Sequence, residues 1–524
     1  MTKDMTKGTP MKLILGFSIP LFFGFLFQQF YSLVDTLIVG RFLGKENLAA
    51  VGATGSVNFL IIGFCMGVCS GFSIPVSHKF GAGDLKGMRR VVANCVWLAA
   101  AFGILMTVLT TIFCRHILVL MKTPANILEA SHAYIWIIFL GIPVTFLYNM
   151  TSGVIRALGD SRTPVIFLLM SSFLNIGLDL FFIINLHWGV QGAAWATVIS
   201  QGVSGVCCLL YMMKKFEILR IQRDEWAPDR HLMGSLCGMG VPMGLQYSIT
   251  AIGSVVLQSA TNTLGSDAVA AVTAAGRISG FLACPFDAMG STMATYGGQN
   301  IGAGRLDRIS KGLKSCVMLG AGYSVIALSV SILLGRPLAM LFLDASETAI
   351  IGDVRFFLIM NTVFYFPLAL VNIVRFLIQG MGFPTFAILA GVFEMLARAI
   401  AGFVLVPVMG FAGVALGSPI AWIFADIFLI PAYFHVRKVM GKRLAGAGTQ
   451  AMAGTQATAS TQAIAGTQAT AGKQIIAGTQ DTAEAQASVD EDSPRERNPL
   501  QSNSGKSLKT PKLRFPVRLS KRLF

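Results

Sequence analysis

Twelve long apolar segments are the feature of this 524-residue sequence that most limits its fold. A helical span needs about 20 apolar residues, and a chain in lipid must satisfy its backbone polar groups within helices or a closed barrel. Only 13% of the residues are charged, against about 25% in soluble domains. We therefore predict an all-α membrane protein with twelve transmembrane helices. The segments cover residues 13–39, 47–77, 91–113, 130–153, 164–185, 188–213, 235–261, 267–297, 313–335, 354–379, 385–407 and 412–436.

The division of basic residues between the connecting loops predicts the orientation of these helices. With the N-terminus inside, the inner loops and flanks hold 23 Lys and Arg, Arg156 and Arg375 among them, and the outer loops hold 6. Cytoplasmic loops carry the excess of basic residues. We therefore expect both termini in the cytoplasm and the protein in the inner or plasma membrane. The net charge of +16 has the same explanation and does not call for nucleic acid as a partner.

The two halves of the sequence resemble each other. "LGKENLAAVGATGSV" (43–57) is similar to "LGSDAVAAVTAAGRI" (264–278), "GAGDL" (81–85) to "GAGRL" (302–306), and "GVQGAA" (189–194) to "GFAGVA" (410–415). All three pairs share one offset in the numbering, which we call the repeat offset. It corresponds to six spans, an even number, so the copies share one orientation. We predict two six-helix bundles related by a pseudo-two-fold axis along the membrane normal.

These patterns divide the chain into four parts. We place the N-terminal bundle at 1–213, a basic cytoplasmic linker at 214–234 and the C-terminal bundle at 235–440. Residues 441–524 form a tail in which a six-residue repeat, as in "GTQATA", runs over 447–483 before a basic end. Small polar residues give a chain nothing to bury, so we predict that the tail is disordered.

Acidic residues inside predicted spans mark the candidate site, because a carboxylate at membrane depth is costly and by default functional. Asp35 and Asp179 each lie six residues from the outer end of a span, and so does Thr197. At 1.5 Å per residue all three lie about 9 Å below the outer surface. Asn175 is one turn deeper on the face that carries Asp179.

The side chains of this group are rich in oxygen and could bind a proton or Na⁺. Two close carboxylates share a proton readily. The alternative is that each acid only stabilises helix packing. The second half has Val256 and Ile400 at the positions that match Asp35 and Asp179, so we expect ion coupling in the N-terminal half.

Other residues within the spans have less specific interpretations. Glu394 and Arg398 are four apart on one helix, where they would form an ion pair or, alternatively, bind substrate. Pro20 could permit bending of the first helix or impose a fixed kink. Phe27 and Tyr31 could line a cavity for aromatic cations, although packing in the core is the simpler role. The roles of Asp287 and Asp426 stay open.

Four stretches together are similar to the multidrug and toxic compound extrusion (MATE) family: "SIPLFFGFLFQQFYSLVDTLIVGRFLG" (18–44), "RALGDSRTP" (156–164), "NIGLD" (175–179) and "GGQNIGAGRLDR" (297–308). The resemblance covers about residues 1–440. It implies two six-helix bundles around a V-shaped cavity, and drug efflux coupled to H⁺ or Na⁺.

The resemblance also implies roles for particular residues. In archaeal and bacterial members an N-lobe cation site uses residues that match Asp35, Asn175, Asp179 and Thr197, and a bending proline matches Pro20. Two departures stand out. The seventh helix carries no acid, and the first copy of the "GQNIGAG" loop reads "SHKFGAG".

We therefore expect a monomeric secondary transporter for small molecules that works without a cofactor and uses H⁺ or Na⁺ as the coupling ion. The sequence contains no GxxxxGK[ST], HExxH or GxSxG motif, which argues against an ATP motor and against an enzyme. A flippase for a lipid-linked oligosaccharide is the alternative, and it should have a strongly basic cavity. A receptor or channel is a third candidate, which the internal duplication disfavours.

Overall fold

The computed structural model describes residues 3–121 and 123–446, and within these ranges all regular structure is helical. The predicted tail from 447 onward lies outside the described residues. The last helix runs to Gly446, past the predicted end of the bundle at 440. The helices are α1 Pro10–Ala53, α2 Gly55–Gly81, α3 Leu85–Leu120, α4 Ala125–Leu140, α5 Ile142–Ala157, α6 Arg162–Leu180, α7 Gly189–Lys215, α8 Arg230–Asn262, α9 Ser266–Gly302, α10 Leu306–Ala339, α11 Thr348–Val363, α12 Tyr365–Gly380, α13 Pro384–Ile400 and α14 Phe411–Gly446.

Twelve membrane spans account for these helices. Ten helices of the described chain are long and apolar enough to cross a bilayer singly, with α13 counted through its continuation to Met409. Two bent pairs supply the remaining spans: α4 and α5 meet at 46°, and α11 and α12 meet at 51°. Each pair is the fourth span of its half. The prediction of an all-α protein with twelve transmembrane helices is confirmed.

The internal duplication is visible in the backbone. Three pairs of glycines with positive φ, a conformation that side chains other than glycine rarely adopt, are separated by the repeat offset. These pairs are Gly44 and Gly265, Gly83 and Gly304, and Gly189 and Gly410. Each half also interrupts the α-helix of its fifth span with one π turn, Phe181–Asn185 in the first half and Ala401–Leu405 in the second. The two bundles are therefore copies of one structural unit.

Glycines allow the two halves to approach closely along α2 and α8. A Cβ placed on Gly67 would lie 2.6 Å from Met243 O, and one placed on Gly71 would lie 2.5 Å from the Cα of Gly240. Both distances are shorter than real Cβ contacts, so only glycine fits at this crossing. Small residues that permit such backbone contact are the usual means of joining helices in membranes.

A matched pair of hydrogen bonds joins the halves at the end of the molecule where residues 3–9 lie, which we call the basic end. His78 Nε2 donates to Gly380 O at 2.7 Å, and Gln299 Nε2 donates to Ala157 O at 2.9 Å. His78 and Gln299 are again related by the repeat offset, so the interlock is nearly two-fold symmetric. The departure of "SHKFGAG" from the "GQNIGAG" pattern thus replaces one amide of this interlock with an imidazole.

Residues 3–9 bind both halves at the basic end. Lys3 N donates to Leu158 O at 3.0 Å in the first half. Met5 N donates to Gln299 Oε1 at 2.8 Å in the second half, and the Met5 side chain is fully buried. The start of the described chain therefore closes over the junction of the two bundles.

The linker between the bundles is docked on α3. Arg89 donates from Nε to Glu225 Oε2 at 2.7 Å and from Nη2 to Glu225 Oε1 at 2.8 Å, and Trp97 Nε1 donates to Trp226 O at 3.1 Å. The hydrogen bonds from Arg89 hold the pKa of Glu225 at about 2. Because that pKa is lowered, the stabilisation is complete above the ordinary pKa of a glutamate and is lost as pH falls toward 2.

We predict that Glu225→Gln releases the linker. Loss of a charge-assisted hydrogen bond pair costs roughly 2 kcal/mol, so trypsin should cleave after Arg220 or Arg223 about thirtyfold faster at neutral pH. Asp224→Asn is the matched control, because Asp224 forms an exposed pair with Lys86 at 3.3 Å and such pairs contribute little. Equal cleavage of the two variants would show that the Arg89 contact does not hold the linker.

Candidate functional site

A cavity of about 380 Å³ lies mainly within the N-terminal bundle and reaches the junction with the C-terminal bundle. One face of α1 forms a wall of this cavity. The residues of α1 that line the cavity are mostly three or four positions apart, as expected for one face of a helix. From Leu21 to Asp35 this stripe extends about 20 Å. The lining residues of α1 are Leu21, Phe25, Gln28, Tyr31, Ser32 and Asp35, and the C-terminal bundle contributes Tyr247, Ser291 and Phe376.

The four polar residues predicted to share one level come together at this cavity. Asp35, Asn175 and Thr197 line it, and Asn175 Nδ2 donates to Thr197 Oγ1 at 3.4 Å. Asp179 is fully buried behind the lining, within electrostatic range of Asp35. Asp179 lies two residues before the start of the π turn of its span, an irregularity often found at functional sites.

Several oxygens of this group are buried without a partner. Asp35 Oδ1, Asn175 Oδ1 and both carboxylate oxygens of Asp179 have no hydrogen-bond partner in the described part of the chain. Buried polar atoms are normally hydrogen-bonded, and an exception calls for an explanation. Oxygen ligands from carboxylates and amides suit a hard cation, and a carboxyl proton would satisfy two oxygens at once. The donor set therefore fits either Na⁺ or a proton.

The C-terminal bundle instead holds a buried glutamate between two arginines. Arg375 Nη2 donates to Glu394 Oε1, and Arg398 Nη2 lies 3.5 Å from Glu394 Oε2. Asp426 and Asp287 are both within electrostatic range of Arg375. Glu394 and Arg398 thus form the ion pair that their spacing indicates, with Arg375 as an additional partner of Glu394.

Three of the residues considered for a substrate cavity lie away from it. Phe27 is 38% exposed, and neither Glu394 nor Arg398 is among the lining residues. Tyr31 does line the cavity. The helix α1 continues without interruption through Pro20, one residue before the first lining residue.

Two arginines assigned to loops from the sequence are in fact inside helices. Arg156 lies in the last turn of α5 and lines the cavity. Arg375 is buried within α12. The predicted span 130–153 ended before Arg156, whereas Arg375 lay inside the predicted span 354–379 and was nevertheless counted with the loops. Both helices carry a polar stripe at helical spacing near the basic end. The stripes are Thr145, Asn149, Ser152 and Arg156 in α5, and Asn372, Arg375 and Gln379 in α12.

Comparison with known proteins agrees with this architecture. The sequence model of the MatE family matches residues 20–181 and 242–404, one stretch in each bundle and together more than half of the chain. The chain belongs to the MatE family.

Similar proteins are named as multidrug resistance proteins or as a transporter. The probable multidrug resistance protein YoeA of Bacillus subtilis is 28% identical over 67% of this chain and 77% of its own length. YpnP of the same organism, also a probable multidrug resistance protein, is 30% identical over 58% of this chain and 68% of its own length. The FAD transporter of Shewanella oneidensis is 24% identical over 69% of this chain and 80% of its own length.

A solved structure gives the same result for the fold. The crystal structure of MATE in complex with MaL6 superposes with a TM-score of 0.78 at 25% identity and covers 84% of this chain and 99% of that chain. This MatE protein is thus a multi-pass membrane transporter and not an enzyme, and its two bundles are those of MATE transporters.

We predict that Glu394→Gln destabilises the C-terminal bundle. The substitution removes the carboxylate that both Arg375 and Arg398 contact, and breaking such a buried ion pair costs about 3–5 kcal/mol. The melting temperature of the purified protein in detergent should fall clearly. Glu129→Gln is the control, because its exposed pair with Arg115 contributes less than about 1 kcal/mol. Similar melting temperatures for both variants would contradict a structural role of the network.

Proposed function

We propose that this MatE protein is a secondary active efflux transporter that exchanges H⁺ or Na⁺ for amphipathic, often cationic molecules by alternating access. The observation that carries the proposal is the group of unpartnered oxygens at Asp35, Asn175 and Asp179 beside the cavity. Ionisable residues inside a membrane protein mark ion or substrate pathways. Relatives named as multidrug resistance proteins support drug efflux as the task.

The coupling ion and the cationic cargo would compete for the same negatively charged wall of the cavity, and this competition would couple their transport. With Asp35 and Asp179 free of a bound ion, their charge attracts a cationic molecule into the cavity. Binding of H⁺ or Na⁺ neutralises that charge, and the attraction is lost. Because Asp35 and Pro20 lie on the same helix, neutralisation would also favour a different bend of α1 near Pro20. A coupling ion can shift this equilibrium only by its difference in affinity for the two states.

The flippase alternative is less favoured. A site for a lipid-linked pyrophosphate should be strongly basic, whereas Arg156 is the one Lys or Arg among the described residues that line the cavity. The name of the FAD transporter of Shewanella oneidensis nevertheless suggests that cargo of this protein can include molecules with anionic groups.

We predict that Asp35→Asn abolishes ion-driven transport. In liposomes with the purified protein, an imposed H⁺ or Na⁺ gradient should drive ethidium movement in the wild type and not in the variant, because the amide cannot be charged. Asp267→Asn, at an exposed position of α9, should transport normally. A normal rate for Asp35→Asn, in a protein with an unchanged melting temperature, would refute the coupling role.

Thr197→Val distinguishes the two ions. The variant loses the hydroxyl oxygen that could bind Na⁺ and keeps both carboxyl groups. If Na⁺ is the coupling ion, Na⁺-driven ethidium movement should fall about tenfold or more while H⁺-driven movement is retained, since loss of one ligand costs roughly 1.5–3 kcal/mol. Equal loss with both gradients would contradict a role of Thr197 specific to Na⁺.

A further inference from the structure

Arg156 occupies an unusual electrostatic position at the cavity. Its guanidinium group forms no ion pair with any described carboxylate, and the groups within electrostatic range of it are Tyr148, Cys208, Tyr247 and Cys69. Arginine stays charged in proteins, so this cation cannot be neutralised by loss of a proton. An unpaired charge inside a membrane protein is costly.

The C-terminal bundle shows the surroundings of two other buried arginines of this chain. There Arg375 and Arg398 both bind Glu394. The polar stripe of α12 corresponds to the stripe of α5 that carries Arg156. On the α12 stripe, the amide of Gln379 donates a hydrogen bond to Gln246 Oε1 at 2.6 Å. The contrast indicates that Arg156 is kept unpaired for an anion that enters the cavity.

The surroundings of Arg156 supply further hydrogen-bond donors. A smaller space of about 50 Å³ continues from the cavity toward the basic end, and Arg156, Ser70, Ser291 and Phe376 line both spaces. Ser70 and Ser291 are related by the repeat offset and come from matching positions of α2 and α9. The backbone carbonyls of these two serines accept hydrogen bonds from the side chains of Ser73 and Thr295. The narrow junction thus offers one guanidinium group and two serine hydroxyls.

We propose that Arg156, with the hydroxyls of Ser70 and Ser291, forms an anion subsite that binds a carboxylate or phosphate group of the transported molecule. The guanidinium group can bind either anion with two parallel hydrogen bonds. The carboxylates of Asp35 and Asp179 lie elsewhere on the same cavity, so the preferred cargo is an elongated amphiphile with a cationic and an anionic end. This inference rests on the proposed transport function and specifies its substrate class.

Two dyes with the same cationic xanthene ring test this proposal. Rhodamine 110 carries a free carboxylate, and rhodamine 123 is its methyl ester. Equilibrium binding to the purified full-length protein in detergent should be roughly tenfold tighter for rhodamine 110, the gain expected of a charge-assisted hydrogen bond pair. Arg156→Gln should bring the two dissociation constants together by weakening only rhodamine 110. Arg156→Lys should retain part of the preference.

The control and the contrary outcomes are distinct. Arg162→Gln removes an exposed arginine near the same end and should leave the preference unchanged. Should Arg156→Gln not fold, the double variant Ser70→Ala, Ser291→Ala should still reduce the preference. Equal binding of the two dyes by the wild type, or equal weakening of both by Arg156→Gln, overturns the anion subsite alone. Binding of neither dye by the wild type contradicts the proposed function as well.

Discussion

The need to satisfy charge in a medium without water governs this structure. In the C-terminal bundle Glu394 lies between two arginines, and the charges compensate one another. In the N-terminal bundle Asp35, Asp179 and Arg156 have no such compensation and surround a cavity. Compensated groups hold helices together, whereas uncompensated groups can exchange partners. The first bundle therefore has the chemistry of a site that loads and unloads, and the second has the chemistry of a support.

The two bundles differ in their charged side chains, although their backbones are almost the same. The glycines with positive φ, the π turns and the bent fourth spans recur in each bundle. Backbone geometry is thus retained while side chains differ, as at Asp179 and its counterpart Ile400. A duplicated unit supplies two surfaces that match across a central axis, and a few substitutions in one copy are enough to make that copy reactive.

Much of the fold could be predicted because hydrophobic length and loop charge act locally. Apolar segments long enough to cross a bilayer predicted the twelve spans, and acids at a common depth predicted that Asp35, Asn175, Asp179 and Thr197 would meet. Arg156 and Arg375 were assigned wrongly, because a charge near a helix end looks the same in sequence whether it faces water or a cavity. That distinction depends on how α5 and α12 bend and on which helix packs opposite, which are properties of the whole assembly.

The helix α1 connects two places that lie far apart. Lys3 and Met5, just before this helix, bind the first and the second bundle, and Asp35 lies beyond the middle of the helix. An opening of the basic end would have to detach residues 3–9, which also accept hydrogen bonds from the second half, from Arg305 Nη1 to Thr6 O and from Arg308 Nη2 to Met5 O and Gly8 O. Residues 3–9 would then act as a clasp between the bundles, and a bulky substituent within this segment would hold the clasp open.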